Sequence, residues 1–262
     1  MKTYKTHFSE KESDISIISD SKTAILKAKE SFYFHRRNLV KFVTKNSVFL
    51  NSLSPIKVHT DFQIINIMAE VSDICDVGPM ASVAGALADL MCNSMKYQDS
   101  EEELASSPCK VALVENGGEI SIDSERPIKV ALYAGENELN FNLGFLIRKE
   151  DCPIGIGTSS ATIGHAISFG QADAVTIFAK NAALADAAAT KIANIVKGKD
   201  IEKSIKKGLD AIDEISGVLG AFISRENKVG KTGKLPKFIK IEGDRYQILK
   251  KIRNFVEYDV FK

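Results

Sequence analysis

The stretch whose reading decides this chain is Gly155–Thr190, GIGTSSATIGHAISFGQADAVTIFAKNAALADAAAT. Gly155–Gly164 mixes glycines with the hydroxyls of Thr158, Ser159, Ser160 and Thr162. Such a loop can cradle an anion on amides and hydroxyls without a lysine. The same residues also suit a glycine-rich turn whose hydroxyls cap their own backbone, and composition weighs the two equally. Ala174–Ala179 reads as a buried strand. An alanine-rich helix then starts at Asn181 and ends near Gly198, with Asp186 and Thr190 four apart and so on one face. A carboxylate among alanines either faces solvent or meets a cation. Mg²⁺ takes one or two carboxylates together with hydroxyl, water or phosphate oxygens.

Working outward, a further helix carries Ile201, Ile205, Leu209 and Ile212 on one face, and Val218–Ser224 and Phe238–Ile241 read as strands. Tyr246–Phe255 closes the chain as a terminal helix or strand. Upstream, Val111–Val114 and Glu119–Ile122 flank Asn116-Gly117-Gly118, a hairpin signal, and Ile128–Tyr133 and Phe141–Ile147 add strand-like runs. Asp14–Ser19 reads as a short strand before a long helix over residues 21–45, whose stripe is Ile25, Ala28, Phe32, Leu39 and Phe42 with His35 among them. Thr60-Asp61 offers an N-cap to a helix carrying Ile64, Met68, Val71 and Cys75. Gly78-Pro79 ends that helix and opens the small-residue helix over residues 80–91. Long helices mixed with hairpins, without strict alternation, place the chain in the α+β class. The expectation is a single domain over residues 1–262, with 1–77 as a helical N-terminal subregion.

Bulk properties narrow the function. The chain has 262 residues, 44% hydrophobic and 26% charged, as in an ordinary globular protein. A formal charge of +1 gives no footprint for nucleic acid or an anionic membrane. The basic cluster Lys228–Lys240 is interleaved with apolar residues and reads as solvated surface, as does the acidic stretch Asp99–Glu103. The polar N-terminus lacks a signal-peptide core, and no window of roughly 20 apolar residues spans a bilayer. Cys75, Cys92, Cys109 and Cys152 form no metal-ligand spacing. The expectation is a reduced, cytoplasmic protein. Cys75 and Cys92 fit a helical core, and Cys152 is the thiol worth following.

Two phosphate-loop patterns fail. Gly230-Lys231-Thr232 resembles the tail of a Walker A loop, but Arg225 occupies the upstream glycine position and a turn is expected. Gly155-x-Gly157 lacks the third glycine of a dinucleotide fingerprint, with Ser160 in its place.

Three segments in order carry a family resemblance. Residues 78–89 (GPMASVAGALAD), 114–120 (VENGGEI) and 158–190 resemble the ApbE-type flavin transferases, Mg²⁺-dependent enzymes that move FMN from FAD onto a protein threonine or serine. The match covers roughly the C-terminal two-thirds and is closer still to an ApbE-like group, uncharacterised protein family 0280. The resemblance implies a T-fold-like architecture of mixed sheet and helices. It implies that Asp186 and Thr190 contact the metal, and that Gly117 and Gly118 form the flavin-binding hairpin. Thr158, Ser159 and His165 match the stretch near the diphosphate and nucleotide, and Gly85 and Asp89 match the lysine-glycine helix. The helix lysine of the transferases is Ala84 here, which removes a charge that could assist pyrophosphate chemistry. The lipoprotein signal common among them is absent.

The resemblance therefore implies a cytoplasmic ApbE-like protein that binds Mg²⁺ and FAD, FMN or another phosphate-containing small molecule, with flavin transfer itself doubtful. One alternative is a flavin- or nucleotide-binding module without catalysis. Another, also implied by the resemblance, is a role in sulfide assimilation in anaerobes, with Cys152 as the residue to test. A homo-oligomer is compatible with all three.

Overall fold

The computed structural model describes residues 2–96, 108–132, 139–160 and 170–241. Asp99–Glu103, Thr162, Gly164, His165 and Tyr246–Phe255 lie outside the described residues.

The chain opens with a hairpin of β1 (Tyr4–Glu10) and β2 (Ser13–Ser19), followed by helices α1 (Lys22–Val43), α2 (Ser47–Asn51) and α3 (Gln63–Cys75). A 3₁₀ turn at Pro79–Ser82 leads into α4 (Val83–Lys96). Next come β3 (Val111–Asn116), β4 (Glu119–Ser124), β5 (Ile128–Ala131), β6 (Leu143–Ile147), β7 (Ile154–Ser159) and β8 (Ala174–Ala179). Helices α5 (Ala182–Ile195) and α6 (Ile201–Ile212) precede β9 (Val218–Arg225), β10 (Lys228–Gly233) and β11 (Lys237–Lys240). One sheet has the order β1-β2-β3-β4-β7-β8-β9-β10 and a second has β11-β6-β5. All described strand pairs are antiparallel.

Strand alternation sorts the side chains of the large sheet between two cores. On one face Ile17, Val114, Val175 and Ile177 pack under the helices with Phe32, Met68 and Met91. On the other face Leu113, Ile122, Ile156 and Phe178 meet Phe145 and Ile147 of the small sheet, with the Phe145 and Phe178 rings 4.8 Å apart. The result is three layers: helices, eight strands, three strands. The α+β architecture expected from the sequence is the one observed. Side chains from residues 1–77 belong to the same core as α5.

Four local expectations change. The N-terminus, residues 1–7, read only as polar, leads into β1 (Tyr4–Glu10), the edge of the large sheet. Helix α3 starts at Gln63 with no side-chain cap; Thr60 instead pairs with Asn66, whose Oδ1 accepts from Thr60 N at 2.8 Å. Gly230-Lys231-Thr232 is the middle of strand β10 rather than a turn. Its glycine makes room for α6, since a Cβ there would lie 2.5 Å from Ile205 Cγ2. Gly155 and Gly157, read as loop, lie in buried strand β7. The reason is α5 lying directly on them: a Cβ on Gly155 would stand 1.9 Å from the Asn181 carbonyl carbon, and one on Gly157 2.5 Å from that of Ala185.

Candidate functional site

The candidate site forms where α4, α5 and the β3–β4 hairpin meet. Helix α5 is alanine-rich because it is enclosed. Ala182, Ala183, Ala185, Ala187 and Ala188 are all fully buried. Asn181 caps it by accepting from Leu184 N at 2.8 Å. Gly85 of α4 completes the enclosure, for a Cβ there would come within 2.3 Å of the Ala182 carbonyl oxygen.

The two helices exchange carboxylates. Asp89, from α4, accepts from the first amides of α5: Ala182 N at 2.9 Å on Oδ1 and Ala183 N at 2.8 Å on Oδ2. Ser121 of β4 donates its hydroxyl to the same Oδ1 at 2.8 Å. In return Asp186, from α5, takes the Gly85 amide of α4 at 3.0 Å on Oδ2, and the Ala84 amide also stabilises its charge. Each aspartate answers unpaired amides near the start of the other helix, where the helix dipole favours an anion. Asp89 and Gly85 thus join α4 to α5 and β4.

The hairpin turn positions the acids beside this junction. Gly117 and Gly118 have φ of +66° and +119°, so both occupy left-handed backbone that favours glycine. Asn116 anchors the hairpin by donating to the Ala84 carbonyl at 3.2 Å. Glu119, immediately after the turn, is 9% exposed. Its carboxyl is pushed well above the usual range by burial, then by the charges of Asp186 and Glu115. Asp186 is half-buried, and its carboxyl is pushed up to about 7, first by burial and then by the charge of Asp89. Glu115 is raised by burial too, although Gly118 N donates to it at 3.0 Å.

Of the residues singled out from the sequence, Gly85, Asp89, Gly117, Gly118 and Asp186 converge here. Thr190 lies one turn beyond Asp186 on α5 and is half-buried. Thr158 diverges: its hydroxyl pairs with that of Thr176 at 3.1 Å, on the sheet face turned away from α5. Only its backbone N–H reaches the Glu119 carboxylate. Ser159 alternates back to the α5 side. Cys152 is half-buried, and burial raises its thiol above the ordinary value, the opposite of an activated thiolate. Glu119 is the residue the sequence reading missed. Its signal was its place directly after the glycine pair, but its burial comes from tertiary packing that no neighbouring residue announces.

Asp186 and Glu119 are close enough to interact electrostatically, and with Thr190 one turn along α5 they could offer oxygen ligands alone, the kind a hard cation takes. Among the described residues no three His, Cys, Asp or Glu side chains converge as a protein-only metal cage.

Comparison with known proteins places the chain in a family. A family model described as "AbpE bacteria" matches residues 1–215. The UPF0280 protein of Methanocaldococcus jannaschii is 39% identical over 235 residues, covering 88% of this chain and 91% of that one. That of Methanococcus vannielii is 39% identical over 245 residues, covering 92% and 95%. Among solved structures, the apo flavinyl transferase ApbE of Pseudomonas stutzeri aligns over 88% of this chain and 94% of its own, at 13% identity and a TM-score of 0.47. The ApbE protein of Thermotoga maritima aligns over 88% and 97%, at 11% identity and a TM-score of 0.49. No single helix among the described residues is long and apolar enough to cross a membrane. By the extent of the family match and the identity to these relatives, the chain belongs to the ApbE-like UPF0280 family.

Proposed function

We propose that the chain binds Mg²⁺ at Asp186, Glu119 and Thr190, and beside it a diphosphate-bearing ligand of the flavin nucleotide class. The observation that carries this reading is the pair Asp186 and Glu119. Each carboxyl is raised by burial, and the charge of Asp186 raises Glu119 further. A divalent ion would supply the missing positive charge and hold phosphate oxygens against it. The chain's own part is to fix the carboxylates. The Gly85 amide orients Asp186, the Thr158 amide orients Glu119, and Thr190 adds a hydroxyl from the next turn. The Gly117–Gly118 turn leaves space at the hairpin tip, where a Cβ on Gly118 would meet nothing within 4 Å. The flavin part of the reading rests on family membership.

Calorimetric titration with Mg²⁺ and Mn²⁺, followed by FAD with and without metal, tests this. Wild type should bind metal, and FAD should bind more tightly with metal present. Asp186→Asn should weaken metal binding at least tenfold, to judge from the usual cost of losing a charged ligand. Unchanged metal and FAD binding in that variant defeats the reading.

Ala84 favours binding without catalysis as the second reading. Its side chain brings no charge to the junction, and its carbonyl is already engaged by Asn116. Chromatography after incubation with FAD, Mg²⁺ and a protein offering threonine or serine hydroxyls separates the two: intact FAD supports a binding module, and AMP released with FMN esterified to the acceptor supports a transferase.

A further inference from the structure

The charge of the chain is unevenly placed. Residues 22–57 hold eight Lys or Arg and one acid, Glu30, a net +7 within a chain whose total is +1. The same segment exposes apolar surface. Of the nine large apolar side chains exposed among the described residues, seven lie between positions 26 and 53. Leu26, Tyr33 and Val40 recur every seven residues along the outward face of α1, opposite the buried stripe of Ala24, Ala28, Phe32 and Leu39. Past its C-terminal end, Val48 and Leu53 are 67% and 73% exposed.

From this coincidence we propose that the outer face of α1, with the segment through Leu53, docks on an anionic lipid surface. Interfacial helices combine these two features: apolar side chains that enter the headgroup boundary, and cations that meet acidic lipid. Lysine and arginine stems can lie along that boundary while their charged heads reach phosphate. A hollow of about 420 Å³ beside α1 is lined by Tyr33, Arg36, Arg37, Val40 and Glu10. It offers two guanidiniums to a phosphate headgroup. Arg36 is engaged by Glu12, at 3.5 Å, whose side chain is 85% exposed; such a pair is weak and exchangeable. Lys22, Lys29 and Lys41 rest over the rings of Tyr4, Phe8 and Phe62, contacts that orient the ammonium groups without neutralising them.

A second copy of the chain is a poor occupant, because each copy would bring the same excess of positive charge. An acidic protein would satisfy the charge. A lipid surface, being fluid, also accepts apolar groups spread along a convex helix and the loop beyond it. The whole-chain charge of +1 conceals this patch, which is why composition pointed to no membrane.

Flotation of the full-length protein with phosphatidylcholine vesicles, with and without about one-third phosphatidylglycerol, tests the proposal. Wild type should partition at least about tenfold more onto the anionic vesicles, and added salt should reverse this. Arg36→Glu with Arg37→Glu, and separately Val48→Glu with Leu53→Glu, should each reduce partitioning about tenfold or more. Lys206→Glu with Lys207→Glu makes the same charge change on the exposed face of α6 and should leave binding unchanged. Circular dichroism melts confirm that all variants fold. Absent or lipid-independent flotation, or equal loss in the α6 control, overturns the proposal. So does a protein that ignores vesicles but dimerises by light scattering or retains an acidic protein.

Discussion

Asp89 and Asp186 sit on facing helices, and each answers the amides of the other's helix, yet their surroundings differ. Asp89 uses both oxygens in three hydrogen bonds. Asp186 takes the Gly85 amide on Oδ2 and is helped by the Ala84 amide, but a second buried carboxylate, Glu119, lies close enough to feel its charge. Burial raises both aspartates. For Asp89 the surrounding donors offset that cost. For Asp186 a residual demand for positive charge remains. The lesson is that helix-end geometry alone does not set the charge balance of a buried acid; the number of donors and the neighbouring charges do.

The comparison breaks most sharply at Asp89. Asp89→Ala should cost on the order of 3–5 kcal/mol, because it strands two helix amides and the Ser121 hydroxyl in a dry junction. Even Asp89→Asn should destabilise by urea unfolding, since its NH₂ would face an amide donor. Asp186→Asn keeps one acceptor oxygen for Gly85. The metal-free protein should then be as stable as wild type or more so, by about 1–3 kcal/mol near pH 8, while the rise in melting temperature with Mg²⁺ disappears. A large loss of stability in Asp186→Asn would erase the distinction between the two residues.

Acidity sharpens it further. The unfolded chain releases the Asp186 proton near pH 3.8, whereas the folded chain holds it to about 7. The native state therefore binds more protons across that window, and metal-free stability should fall as pH rises through it, on the order of a few kcal/mol. Asp186→Asn should flatten this slope, and saturating Mg²⁺ should flatten it in wild type; chemical denaturation at stepped pH reads both. The smallest effect is expected from Ala84→Lys. An ammonium restored at this junction should lower the Asp186 carboxyl, stabilise the metal-free protein above pH 7 by about 1 kcal/mol, and weaken its response to Mg²⁺. An unchanged pH slope would place the added charge too far from Asp186 to matter.

Much of the fold was legible where cause and effect are neighbours in sequence. Asn116-Gly117-Gly118 announced its hairpin, and Asn181 and Pro79 their helix starts, each through backbone chemistry within a few residues. The glycines of β7 were misread because their reason is remote: the backbone of α5, some 25 residues on, occupies the space of their side chains. At the site, Asp186 was legible from its isolation among alanines. Glu119 was not, since an acid at a hairpin end is ordinarily solvated and nothing local in the sequence announces that tertiary packing buries it. Thr158 sits within the recognisable motif, but strand alternation turns its hydroxyl to the other core.

The bed of glycines beneath α5 also bears on how this site can change over time. With backbone against backbone on two sides, α5 has no layer of side chains that could slide, rotate or be trimmed to admit a larger ligand. Asp186 and Thr190 are therefore a fixed reference within the molecule. Adaptation to a new ligand must fall on the hairpin and on whatever lies across from it, so divergence among relatives should concentrate there while the helix and its bed are inherited as one block.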